Sequence, residues 1–255
     1  MKVFNDYARY YDLLYRDKDY VSETSFILTL VREHCLGASD ILDLGCGTGA
    51  HAHHLAESGV CIHGVDRSTE MLEEAAIRHR GLPPQIASRL SFSQGDAREV
   101  RLGKVFDVVI SLFHVMSYQI RNEDVLDTFA TAKAHLRPGG IFIFDCWYGP
   151  GVLTDLPVTR VKRIGDDAIS VTRIAEPTIR PKENVVDVNY TIFVRDKVSG
   201  ATEELKELHQ MRYFFPPEIQ MFADNSAFKV IAQREWMKQT EPSMNTWNAC
   251  FVALA

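Results

Sequence analysis

The stretch ILDLGCGTGAH, residues 41–51, sets one aspartate in an apolar run and follows it with three glycines at alternate positions, just ahead of a helix-like segment. The apolar run around Asp43 reads as a buried strand and the glycines as a turn into a helix. Side chains in such a turn would block a ligand, so bare backbone predicts N–H groups laid against a bound molecule. The spacing discriminates among nucleotide sites. A phosphate-binding loop ends in Gly-Lys-Ser/Thr, which is missing here. Dinucleotide sites favour G-x-G-x-x-G, whereas Gly45, Gly47 and Gly49 give G-x-G-x-G. An acid two residues ahead of the first glycine is a poor neighbour for a pyrophosphate and a good one for an ammonium. The expected ligand carries an amino group where a dinucleotide carries phosphate.

Outward from this loop the chain alternates strand-like and helix-like segments. DILDLG (40–45), VCIHGVD (60–66), LSFSQGD (90–96), FDVVISLFHV (106–115) and IFIFDCW (141–147) read as strands. Between them AHAHHLAESG (50–59) reads as a helix ended by Gly59. TEMLEEAAIRHR (69–80) is capped by Ser68 and stopped by GLPP, and a helix with Val125, Leu126, Phe129, Ala132 and Leu136 on one face is ended by RPGG. Repeated strand–helix–strand units predict an α/β fold, a parallel sheet with helices on both faces. Beyond Gly149 the pattern turns to AISVTRIAE, VVDVNYTIFVRD and EELKELHQMRYFF, an antiparallel insertion after the fifth strand. A helix starting at Pro216 and two closing strands, 229–237 and 246–255, complete the reading.

Composition bounds the function. The 255 residues carry a net charge of −6, the wrong sign for tracking phosphates, so nucleic-acid binding is not expected. There is no run near the ~18 apolar residues of a membrane span, and the aromatic, charged N-terminus lacks a signal-peptide centre. Five cysteines without CxxC or CxxH spacing argue against a zinc site and a disulfide framework and predict a cytoplasmic protein. No histidine pair joins an acid at ligand spacing, so no metal is expected.

ILDLGCGTG resembles the first motif of class I S-adenosylmethionine-dependent methyltransferases, and the resemblance runs through residues 40–147. It implies their fold, a Rossmann-like sheet of seven mostly parallel strands, built from residues 1–150 and 216–255, with 1–39 as a helical lid. Residues 151–215 would roof the substrate. The implied cofactor is S-adenosyl-L-methionine and the product S-adenosyl-L-homocysteine. Asp43, Gly45, Cys46 and Gly47 would border the methionine part. Asp66, ending the second strand, would accept the ribose hydroxyls, with Arg67 and Met71 beside it. Asp96 and Ala97 would meet the adenine, and Leu112 and Phe113 would wall the pocket near the sulfur.

YARYYDLLYRDKDY (7–20) holds five tyrosines, and Tyr7, Tyr11, Leu14 and Tyr15 share a helical face suited to packing. YYDLLYRDKDY is also similar to the opening of methyltransferases acting on nucleotide-linked amino sugars. That resemblance implies a segment folded over the cofactor, with Tyr15 beside the sulfonium and Lys18 paired to the cofactor carboxylate.

An acceptor hydroxyl or protonated amine must lose a proton, which calls for a base titrating near neutrality. His114, just past the fourth strand, is the candidate. Tyr11, Trp147, Tyr148 and Arg212 are the candidates for holding a small-molecule acceptor, an arginine because its guanidinium fork suits a diphosphate. An apolar roof with no arginine facing the pocket would favour a phenol, quinone or amino acid instead. A non-catalytic cofactor-binding subunit and a dehydrogenase are the rival classes. Edge strands of the insertion could pair two subunits into a homodimer.

Overall fold

A computed structural model describes residues 8–255 of the chain; Tyr7 lies outside the described residues. Two helices open it, α1 (Ala8–Leu14) and α2 (Tyr20–His34). Asp19 caps α2, accepting from the Ser22 N–H at 2.9 Å. The alternation then runs β1 (Asp40–Leu44), α3 (Ala50–Glu57), β2 (Cys61–Asp66), α4 (Thr69–Arg80), α5 (Pro84–Ala87), β3 (Leu90–Gln94), β4 (Phe106–Ser111), α6 (Asn122–Ala134) and β5 (Leu136–Tyr148). Ser68 caps α4 as expected, its hydroxyl accepting from the Met71 N–H at 3.2 Å.

The five strands lie in the order β3-β2-β1-β4-β5, all parallel. Side chains two apart share a face, and both faces are apolar. Leu42, Leu44, Val109, Phe142 and Phe144 pack with Phe129 of α6 on one side. Ile41, Val108, Ile110, Ile141 and Ile143 pack with Ile27, Leu30 and Leu55 of α2 and α3 on the other. This is the near-continuous hydrophobicity of a sheet covered twice.

After β5 come α7 (Gly149–Thr154), β6 (Arg160–Gly165), β7 (Ile169–Arg180), β8 (Val185–Asp196), β9 (Thr202–Phe214), α8 (Pro216–Asn225), β10 (Lys229–Glu235) and β11 (Asn248–Leu254). β11 pairs antiparallel with β5, and β10 antiparallel with β11, which brings the core sheet to seven strands. β6 to β9 form an antiparallel ladder. Only two residue pairs, Trp147 with Tyr213 and Tyr148 with Phe214, stitch β9 to β5. No helix among the described residues is long and apolar enough to cross a membrane.

Three local features depart from the sequence reading. β6 is an extra edge strand, too charged to stand out. Residues 137–140 continue β5 rather than forming a loop, with a register irregularity opposite Phe106–Val108. The lid helix buries Tyr10 and Leu14 against Val171, Ile192 and Val194 of the ladder, with Tyr11 and Tyr15 half-buried beside the same cluster.

Candidate active site

A cavity of about 390 Å³ opens where the carboxyl ends of the parallel strands meet α1 and the ladder. That is the size of a small-molecule site, at the edge of an open α/β sheet where ligands bind. It has two chemically different ends.

The first end is built by the loops after β1, β2 and β3. Gly45 sits at φ +86°, and a Cβ there would come within 2.6 Å of Val115 Cγ2. Gly47, at φ +56°, faces open space. The amides behave differently from expectation. Gly45 and Cys46 donate to the Val65 carbonyl at 2.7 and 3.0 Å, and Gly47 donates to Asp66 Oδ2 at 2.8 Å. These three N–H groups hold β1 to β2, so the loop offers a ligand room and carboxylates rather than those donors.

Asp43 is buried, and its Oδ1 has no hydrogen-bond partner among the described residues. Burial, with the nearby Asp66 charge adding, pushes its pKa up to about 8. An isolated buried carboxylate is costly unless paired. Asp66 accepts from the Gly47 and Ser68 N–H groups, and burial raises its pKa also. Asp96 is gripped by Arg98, at 2.9 Å from Nε and 2.6 Å from Nη2, which lowers its pKa. Above the loop, Asp12 of α1 accepts from Thr48 Oγ1 at 2.7 Å and pairs with Arg78 at 2.6 Å. Lys162 of β6 donates to the Leu14 carbonyl, so the lid is tied to both core and ladder.

The second end is built by the ends of β4 and β5, the start of β11, and the ladder. Phe113 and His114 are consecutive non-glycine residues at φ 60° and 65°, a conformation costing about 1–2 kcal/mol each. Asp145, fully buried on β5, holds the second of them. The His114 N–H donates to both its oxygens at 3.1–3.2 Å, and the buried His114 Nδ1 lies 2.6 Å from Oδ2, close enough to pair but without hydrogen-bond geometry. Strain of this kind collects at functional sites. The Trp147 ring stands edge-on to His114 at 6.5 Å and to Trp247 at 5.2 Å.

Residues 41–140 match the methyltransferase domain family. The chain is 34% identical over 191 residues, 73% of its length and 76% of the relative's, to a dTDP-3-amino-3,4,6-trideoxy-alpha-D-glucopyranose N,N-dimethyltransferase of Streptomyces venezuelae. The chain belongs to the class I S-adenosylmethionine-dependent methyltransferases. A dTDP-3-amino-3,6-dideoxy-alpha-D-glucopyranose N,N-dimethyltransferase of Streptomyces fradiae is 30% identical over 212 residues, 81% of this chain and 77% of the relative. The crystal structure of an S-adenosylmethionine-dependent methyltransferase from Clostridium acetobutylicum superposes with a TM-score of 0.81 at 25% identity, covering 99% of both chains.

The first end of the cavity fits the methyltransferase cofactor. The unpartnered Asp43 oxygen suits an ammonium, and Asp66 and Asp96 lie on the same wall for polar nucleoside groups. Of the predicted positions, Tyr11, Tyr15, Asp43, Gly45, Cys46, Gly47, Asp66, Arg67, Met71, Asp96, Ala97, Leu112, His114 and Trp147 all line the cavity.

Lys18, Tyr148 and Arg212 do not. Lys18 pairs with Glu23, which also accepts from His51 at 2.7 Å, and its Nζ lies 4.5 Å from the Phe113 ring centroid. Despite burial, those His51 and Lys18 contacts hold the Glu23 pKa down to about 2. Tyr148 follows Trp147 in the strand and so points to the opposite face, into the core. Arg212 points away from the cavity for the same reason, while His209 and Met211 line it. It is buried, pairs with Glu218, and donates to Asn122 Oδ1 at 2.8 Å. The sequence reading missed Tyr118, Tyr190, Trp247 and Asn248 on the wall. The antiparallel return of β11 beside β5 is the signal that could have found Trp247 and Asn248.

Proposed function

We propose that the chain transfers methyl groups from S-adenosyl-L-methionine to the nitrogen of a nucleotide-linked amino sugar. The observation that carries this reading is one cavity with an orphaned acid at one end and a strained histidine locked to a buried acid at the other. The two N,N-dimethyltransferase relatives, matched over most of their length, support the amine as acceptor.

When bound, the cofactor supplies an electrophilic methyl on a sulfonium that departs as a neutral thioether. The chain's residues bind and align. Asp43 holds the ammonium, Asp66 accepts from the ribose hydroxyls, and Asp96 with the Ala97 backbone borders the adenine. Tyr15 closes over the sulfonium from the lid. His114, held through its backbone N–H by Asp145, presents its ring to the acceptor and takes the proton that the nitrogen sheds once it carries the methyl. Trp147 and Tyr11 pack against the sugar. Residues 151–215 roof the acceptor, over a core of 1–150 and 216–255. Proximity and alignment carry most of the rate, since the leaving group is good.

A specific observation favours a second reading, an amine acceptor without a diphosphate. The ladder contributes Tyr190, His209 and Met211 to the cavity wall but none of its arginines. Arg173 donates to the Tyr15 hydroxyl at 3.2 Å behind that wall. Labelled cofactor offered with a nucleotide-linked amino sugar, the free amino sugar, and the matching hydroxy sugar separates the readings. The first reading expects label in the nucleotide-linked amine. Label only in the free amine selects the second, and label only in the hydroxy sugar overturns both.

A further inference from the structure

At the acceptor end of the cavity, three polar side chains form a line that the mechanism above does not use. The Tyr118 hydroxyl lies 2.7 Å from His209 Nδ1, and His209 Nε2 lies 2.8 Å from Glu207 Oε2. Glu207 and His209 are two apart on β9 and so share a face. Tyr118 ends the 3₁₀ turn Val115–Tyr118 that follows His114. Tyr118 and His209 both line the cavity, whereas Glu207 stands behind them. The Tyr190 ring stands edge-on to the imidazole at 4.8 Å, fixing its plane. A buried imidazole between a carboxylate and a hydroxyl has its tautomer set: Nε2–H donates to Glu207 and Nδ1 accepts from Tyr118.

We propose that Tyr118, His209 and Glu207 form a proton relay that deprotonates the acceptor ammonium. This rests on the amine reading given above. The acceptor N–H bond breaks as a new O–H bond forms on Tyr118, while the original Tyr118 proton passes to His209 Nδ1. The amine keeps the electron pair it needs for attack, and Glu207 stabilises the resulting imidazolium. No oxidant, reductant or co-reactant enters. Burial pushes the Tyr118 phenol well above its ordinary pKa, so the tyrosine does not accumulate as phenolate and hands on one proton as it receives another. Tyr118 is the residue that meets the acceptor; His209 and Glu207 act through it. Tyr11 and Tyr15 from the lid and Tyr190, Glu207 and His209 from the ladder are the titratable groups facing the phenol, with Arg67 as the nearby cation.

The experiment is a pH profile of kcat for the wild type, Y118F, H209Q and E207Q on a nucleotide-linked amino sugar, with S-adenosylhomocysteine affinity as the check on folding. The relay predicts a loss of roughly 10²-fold at pH 7 in Y118F and H209Q, with KM and cofactor affinity unchanged. Activity recovers toward wild type near pH 10, where the amine is already neutral; a structural role would leave the loss at every pH. E207Q, which keeps the hydrogen bond without the charge, loses less. Independently, the His209 Nδ1 nitrogen signal falls in the unprotonated range at neutral pH and moves in Y118F. Variants matching an active wild type at every pH, or a loss that high pH does not rescue, overturn the relay and leave the amine reading intact. A wild type inactive on every amine overturns that reading and the relay with it.

Discussion

Replacing Asp43 with asparagine isolates the chemistry of the cofactor end. In the free protein Asp43 titrates near pH 8, so at pH 7 about nine in ten copies carry a proton. An ammonium placed against Oδ1 requires the carboxylate, so binding expels that proton. The ligand's own α-amino group titrates near 8 and is mostly charged already. The net release at pH 7 is therefore roughly 0.8 proton per S-adenosylhomocysteine bound. Affinity rises close to tenfold from pH 6 to 7 and flattens near 8, where release and uptake balance. In D43N the amide neither ionises nor pairs. Breaking a buried pair costs about 3–5 kcal/mol. The ~1.4 kcal/mol that ionises Asp43 at pH 7 is no longer required, so the net loss is roughly 15- to 400-fold in affinity. Calorimetry in buffers of different ionisation enthalpy reads the protons directly. A wild-type binding enthalpy that does not change with buffer, or the same proton release in D43N, refutes the assignment.

The same carboxyl affects the ligand-free fold: its folded pKa lies above the ordinary value, so stability present at low pH is lost as pH rises toward 8. Thermal melts expect wild type to weaken between pH 5 and 8.5 while D43N stays flatter. His114→Asn lowers kcat by roughly 10²- to 10³-fold at neutral pH with S-adenosylhomocysteine affinity unchanged; equal turnover would remove the base role. Arg212→Ala strands Glu218 and destabilises the fold by about 3–5 kcal/mol, read by denaturant titration, while KM in the surviving folded fraction holds. A raised KM with unchanged stability would return Arg212 to the acceptor site.

The parallel core was legible because its signals are redundant: apolar runs of strand length, helices with caps such as Ser68, and glycines at the one loop that needs them. The cavity wall at the strand ends was legible for the same reason. What failed was parity. Trp147 and Tyr148 are adjacent aromatics, and His209, Met211 and Arg212 lie within four residues, so composition does not say which face each takes. The neighbouring strand decides it, and for β9 that neighbour is β8 of the ladder together with a two-pair seam to β5. Lys18 failed differently. Its partner Glu23 lies five residues on, inside α2, but the arrangement also needs His51 from α3, which no local pattern announces. The loop amides were assigned to a ligand because their true acceptors, Val65 and Asp66, belong to the next strand across a crossover.

The two-pair seam between β5 and β9 has an evolutionary consequence. A ladder fastened to its platform by so few rungs can gain or shed residue pairs at its far hairpins without disturbing the strand ends that seat the methyl donor. Lineages sharing one platform are thereby free to vary the wall that Tyr190, His209 and Met211 contribute, while the strand-end part of the cavity stays as it is.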